Sequence, residues 1–174
     1  MRRAARGFTL IELLVAMAIL GVIVVVCGQI FEQATTSWNT GVRKAEMNIV
    51  GRGVADFIAQ DISRCVMPPG APPQLSGSPV IFTIIDESSV PANPKARRTI
   101  TYKLGNPPTR QVDSGTEFKL APPGMVQGVV VTRSPDGGHV DVTVTVKEDD
   151  ARSTFTKSFK ARAWLANRDR YEYE

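Results

Sequence analysis

At 174 residues the chain has room for one membrane-spanning helix and one modest soluble domain. Its formal charge of +4 and pI near 9.3 say little for nucleic acid: without Arg2, Arg3 and Arg6, 18 basic residues face 17 acidic ones. Two cysteines exclude a disulfide framework.

The three arginines precede Gly7-Phe8-Thr9-Leu10-Ile11-Glu12, which opens an apolar run ending near Phe31. Phe8 to Phe31 is 24 residues, about 36 Å of helix at about 1.5 Å per residue. A hydrocarbon core is about 30 Å thick, so the run is long enough to span it. With the basic residues on the N-terminal side only, the N-terminus is expected in the cytoplasm and the rest exported. Glu12 is the one charged residue of the span. A carboxylate costs roughly 2.5–3.5 kcal/mol at the bilayer centre and less near an end. Such a residue usually has a partner, and nothing nearby in the chain supplies one. The plain alternative is a carboxylate at the membrane edge, snorkelling or protonated. An ordinary secretory signal does not fit, because the core is long, carries an acid and runs into Cys27-Gly28-Gln29-Ile30 without a small-residue cleavage site. Val26 before Cys27 argues against a lipoprotein signal.

From Glu32 to Val66 the chain turns polar but keeps an apolar stripe. Trp38, Val42, Ala45, Ile49, Val54, Phe57, Ile58 and Ile62 recur at helical spacings, with Arg43, Lys44, Arg52, Asp56, Asp61 and Arg64 mostly off that face. The spacing predicts one helix from Phe8 to about Val66, its first half in lipid and its second half against a globular domain. Gly21, Gly28, Gly41, Gly51 and Gly53 weaken it by up to about 1 kcal/mol each; they serve either bending or close contact. Cys27 and Cys65 are 38 residues apart, about 57 Å along one helix, and cannot pair there. Both read as packing residues.

Residues 67–79, rich in proline, end the helix. Strands are predicted at Val80–Asp86, Arg98–Leu104, Glu117–Leu120, Val126–Arg133, His139–Lys147 and Ser153–Leu165. Ser134-Pro135-Asp136-Gly137-Gly138 is a hairpin signal between two of them. Asn167 to Glu174 reads as a polar tail. The predicted class is α+β: a long N-terminal helix on about six antiparallel strands, with residues 1–7, 8–31, 32–66 and 67–174 as its segments.

No catalytic constellation stands out, for there is no P-loop, no G-x-S-x-G and no dinucleotide fingerprint. His139, the one histidine, reads as a solvated turn residue. Glu148-Asp149-Asp150 offers hard oxygens for calcium, with a solvated acidic turn the favoured alternative. Arg97, Arg98 and Arg110 read as scattered surface charge rather than a nucleic-acid contact. No cofactor, metal or nucleic acid is expected.

Gly7-Phe8-Thr9-Leu10-Ile11-Glu12 followed by an apolar helix resembles the processing signature of type IV prepilins and type II secretion pseudopilins. The resemblance implies a pilin-like fold and cleavage by a prepilin peptidase between Gly7 and Phe8, with N-methylation of Phe8. It also implies that Glu12, fifth in the mature chain, pairs with a neighbouring subunit's N-terminal amine. The helix close Gly53-Val54-Ala55-Asp56-Phe57-Ile58-Ala59-Gln60-Asp61-Ile62-Ser63-Arg64 looks like that of J-type minor pseudopilins, as does the order of later strands. W-type minor pilins of type IV pili share much of this. The resemblance thus implies a subunit at or near a periplasmic pseudopilus tip, with other pilins and an inner-membrane assembly platform as partners. The alternative is a minor type IV pilin serving adhesion, motility or DNA uptake.

Overall fold

The computed structural model describes residues 9–66, 73–85, 97–150 and 153–165. Contacts divide the chain into two units, Met1–Ala45 and Glu46–Glu174. One helix, α1 (Leu10–Ser63), runs through both.

In the first unit α1 stands without tertiary cover. Every residue from Leu10 to Asn39 is exposed, including Leu10 at 82% and Phe31 at 75%. This is one helix long and apolar enough to cross a membrane. Beyond Phe31 the hydroxyls of Thr35, Thr36 and Thr40 donate to the carbonyls of Phe31, Glu32 and Thr36 at 2.9 Å each. Their polar groups are thus satisfied within the helix and need no outside partner.

In the second unit α1 covers antiparallel sheets, an α+β, pilin-like arrangement. β1 (Cys65–Val66), β2 (Val80–Ile85), β3 (Arg97–Lys103), β4 (Thr109–Val112) and β5 (Phe118–Lys119) form one sheet in sequential order. β6 (Val126–Arg133), β7 (His139–Asp150) and β8 (Ser153–Trp164) form a second. Period-two alternation puts Val140, Val142, Val144 and Val146 wholly inside, with Val80, Phe82, Ile100 and Tyr102 from the first sheet. The hairpin turn forms as its residues demand. Gly137 adopts φ 68°, and its N–H donates to the Ser134 carbonyl at 2.9 Å.

The fold departs from the sequence expectations at the end of the helix, at β4 and along the helix stripe. α1 ends at Ser63, and Cys65–Val66 pair with Ile84 and Thr83 as β1 instead of extending the helix. β4 has no counterpart among the expected strands, because Thr-Arg-Gln-Val alternates no clear apolar face and follows two prolines. Of the expected stripe only Val54, Ile58 and Ile62 are buried; Trp38, Val42, Ala45, Ile49 and Phe57 are exposed, and Met47, Gly51, Ala55 and Ala59 are buried instead. The sheet covers the helix face with small residues, where the backbones approach closely, rather than the one with the largest side chains.

Gly51 marks that approach. A Cβ there would run into the Phe159 ring and come within 2.8 Å of Val146 Cγ2. Gly53 has open space around it among the described residues. Alanine gains up to about 1 kcal/mol of helix propensity over glycine, while overpacking a core costs about 1–3 kcal/mol. Gly53→Ala should therefore stabilise and Gly51→Ala destabilise, by about 1 kcal/mol each way in urea unfolding. Equal effects at both positions would mean that no close approach exists at Gly51.

Cys65 is 2% exposed. Burial pushes its thiol from 9.0 up to about 11, against weaker opposing pulls from the Thr83 backbone and Arg133. A raised pKa means that folding favours the protonated thiol. That stability is fully present below about pH 9 and is lost as pH climbs towards 11. Stability should fall by an amount on the order of 2 kcal/mol across this window. Cys65→Ala should flatten the slope in pH-dependent melts, and an unchanged slope would assign it elsewhere.

Candidate functional site

The N-terminus of α1 carries the first candidate site. Thr9 is the N-cap and Glu12 the third helical residue, the spacing of a capping box. The Thr9 N–H donates to Glu12 Oε2 at 3.0 Å, and the Thr9 hydroxyl donates to the same oxygen at 3.1 Å. In return the Glu12 N–H reaches Thr9 Oγ1 at 3.3 Å. The carboxylate also lies at the positive end of the helix dipole. The expectation that nothing nearby partners Glu12 is therefore wrong. A Thr-x-x-Glu spacing ahead of an apolar run was the signal that would have found it.

The box leaves something over. Both bonds to the carboxylate land on Oε2, and Oε1 has no partner among the described residues. One side chain can therefore close the helix end and still offer an oxygen to a cation from elsewhere. Ile11, Val15, Ala16 and Ile19 line a shallow apolar groove beside it. Gly7 and Phe8 lie outside the described residues.

A second cluster sits within the β-bearing unit. Asp61, 7% exposed, accepts from the Tyr102 hydroxyl at 2.6 Å and from Arg110 Nε at 2.7 Å, both on Oδ2. Burial first, then the hydrogen bond to Asp61, pushes the Tyr102 hydroxyl up, so it remains a donor. Arg110 also lies over the Phe57 ring, 5.6 Å from its centroid. Neither charge is where the sequence pattern places it. Asp61 belongs to the buried face, and Arg110 is its counter-ion rather than scattered surface charge. The signal was the position of Asp61, three residues after Ile58 and one before Ile62. The cluster joins helix to sheet.

His139 also departs from expectation. Its side chain is 16% exposed and packs against Trp164, with ring centroids 5.2 Å apart. Asp136 and Asp141 lie 3.9 Å from its two nitrogens. It is a packed residue at the end of a sheet, not a solvated one. Glu148-Asp149-Asp150 is no turn but the end of β7, paired with Phe155, Thr154 and Ser153. The side chains of Asp149 and Asp150 lie outside the described residues. Among those described, no group of three or more His, Cys, Asp or Glu could hold a metal ion.

Residues 2–27 match the family model described as the prokaryotic N-terminal methylation motif. The match covers Gly7, Phe8, the capping box and the apolar run as far as Cys27. No curated protein and no solved structure matches the chain.

Proposed function

We propose that this chain, which carries the type IV pilin and pseudopilin signature over residues 2–27, is a minor pseudopilin of a type II secretion system. A prepilin peptidase cuts between Gly7 and Phe8 and methylates the new N-terminus. The arginines Arg2, Arg3 and Arg6 hold that junction at the cytoplasmic face. Residues 8–31 anchor the subunit in the inner membrane, residues 32–66 continue the helix outward, and residues 67–174 make the periplasmic domain. The J-type order of the helix close and later strands favours a place at the pseudopilus tip. There it works with other pseudopilins and the assembly platform.

The observation that carries the reading is Glu12 itself. It sits at the mouth of a helix apolar enough to span a membrane, with one carboxylate oxygen unused among the described residues. An isolated ion in such surroundings is costly, and an opposite charge from a neighbouring subunit offsets that cost only when the two helices dock in one stagger. A pair of this kind sets register rather than catalysing anything.

Intact mass of the membrane-extracted protein from its native host tests processing. The expected mass is that of a chain beginning at N-methylated Phe8. Gly7→Val puts a branched side chain where the peptidase needs a small one, and should leave the full chain uncut. A wild-type chain still beginning at Met1 in cells with an active peptidase would overturn the proposal.

A further inference from the structure

The sheet formed by β6, β7 and β8 has two outer strands, and they are not alike. β6 carries a register shift between Val126 and Gly128. A bulge of this kind disrupts an edge and discourages pairing. β8 pairs with β7 through twelve successive residues without a shift. On its other side, Thr156 to Trp164 has no strand partner among the described residues. A regular edge strand turns alternate N–H and C=O groups outward, ready to pair.

A groove of about 470 Å³ runs beside this edge, between β8 and the Asn48–Asp56 stretch of α1. Arg52, Lys157 and Lys160 line it, against one carboxylate, Asp56. Lys157 is held in place by Asn48 Oδ1 at 2.7 Å and lies over the Phe159 ring at 5.3 Å. Arg52 and Lys160 are exposed and form no salt bridge among the described residues. Cations on an edge repel a second copy of the same edge, which would set Lys157 and Lys160 against their own kind. They attract a strand that carries acids.

We propose that the edge of β8, unpaired among the described residues, receives an extended segment of a partner protein, bearing carboxylates towards both faces, as a fourth strand of this sheet. Main-chain bonds to Thr156–Trp164 supply the pairing; Arg52 and Lys157 on the helix side and Lys160 on the opposite face select the acidic sequence. The site uses no residue of the 8–31 span and stands whether or not Glu12 acts in assembly.

The test uses the full chain in detergent micelles and a synthetic nine-residue peptide that repeats Val-Glu-Glu, which turns glutamates to both faces. Two controls accompany it: the same peptide N-methylated at alternate backbone nitrogens, and one with lysine for glutamate. The acidic peptide should bind and slow amide exchange across Thr156–Trp164, while both controls bind at least about tenfold more weakly. Arg52→Glu and Lys160→Glu should each weaken binding about tenfold, and the milder Lys160→Ala less. No binding of the acidic peptide would overturn the proposal. So would equal binding of the N-methylated peptide, which would reduce the edge to a charged patch. Self-association in the absence of peptide, read as slowed amide exchange across Thr156–Trp164 on raising the protein concentration, would identify a second copy as the occupant and overturn it too.

Discussion

Asp61→Ala should destabilise the β-bearing unit by about 2–4 kcal/mol. Removing one partner of a buried ion pair typically costs about 3–5 kcal/mol, because the other charge is left without compensation. Here Arg110 retains 21% exposure, so water recovers part of that loss. The Tyr102 hydroxyl, on a residue with no exposure, cannot turn to solvent, and an orphaned buried donor costs about 1–3 kcal/mol. Against this, taking a negative charge from the last turn of α1 relieves roughly 0.3–1 kcal/mol of dipole repulsion. The losses win. Tyr102→Phe leaves the Asp61–Arg110 pair intact and should cost only about 1 kcal/mol. Chemical unfolding of both variants tests the ranking. If Asp61→Ala cost no more than Tyr102→Phe, the ion pair would contribute nothing and the cluster would be packing alone.

Much of this molecule is legible in its residues. The apolar run with a single acid and the alternating valines of β7 each obey one strong local rule, and each appears in the structure; residues 67–72 of the proline-rich stretch lie outside the described residues. The features that escape such rules depend on partners remote in sequence. Asp61 and Arg110 look like two surface charges until β3 and β4 bring Tyr102 and Arg110 under the helix. The helix face that packs is hidden for a related reason. Hydrophobic periodicity favours large residues such as Trp38 and Ile49, whereas close packing selects Gly51, Ala55 and Ala59. β1 is too short and β4 too polar to announce themselves, since each is held by neighbours in the sheet rather than by its own composition. At Glu12 the opposite holds: the partner is only three residues away, and the membrane-spanning character of the run masks an ordinary capping box.

That box sharpens the second large effect, expected for Glu12→Gln. Glutamine closes a capping box as glutamate does, so the bonds with Thr9 are kept and the helix end survives. The substitution removes the charge alone. In the lone subunit it should leave stability unchanged or slightly raised, because no carboxylate is then held at the membrane edge. In the assembly it should leave the neighbouring Phe8 ammonium without a counter-ion, at a cost of about 3 kcal/mol or more. Recruitment should fall at least about tenfold. Thr9→Val separates the two roles from the other side. It removes the cap, at about 1 kcal/mol, but keeps the charge, so assembly should be largely spared.

Crosslinking of this subunit to its partner pilins in native membranes, wild type against Glu12→Gln at equal subunit levels, decides between assembly and capping most directly. An assembly role for Glu12 predicts strong crosslinks in the wild type and their near loss in the variant, with insertion and cleavage after Gly7 unaffected. Equal crosslinking in the two would leave Glu12 a capping residue only and contradict the assembly mechanism.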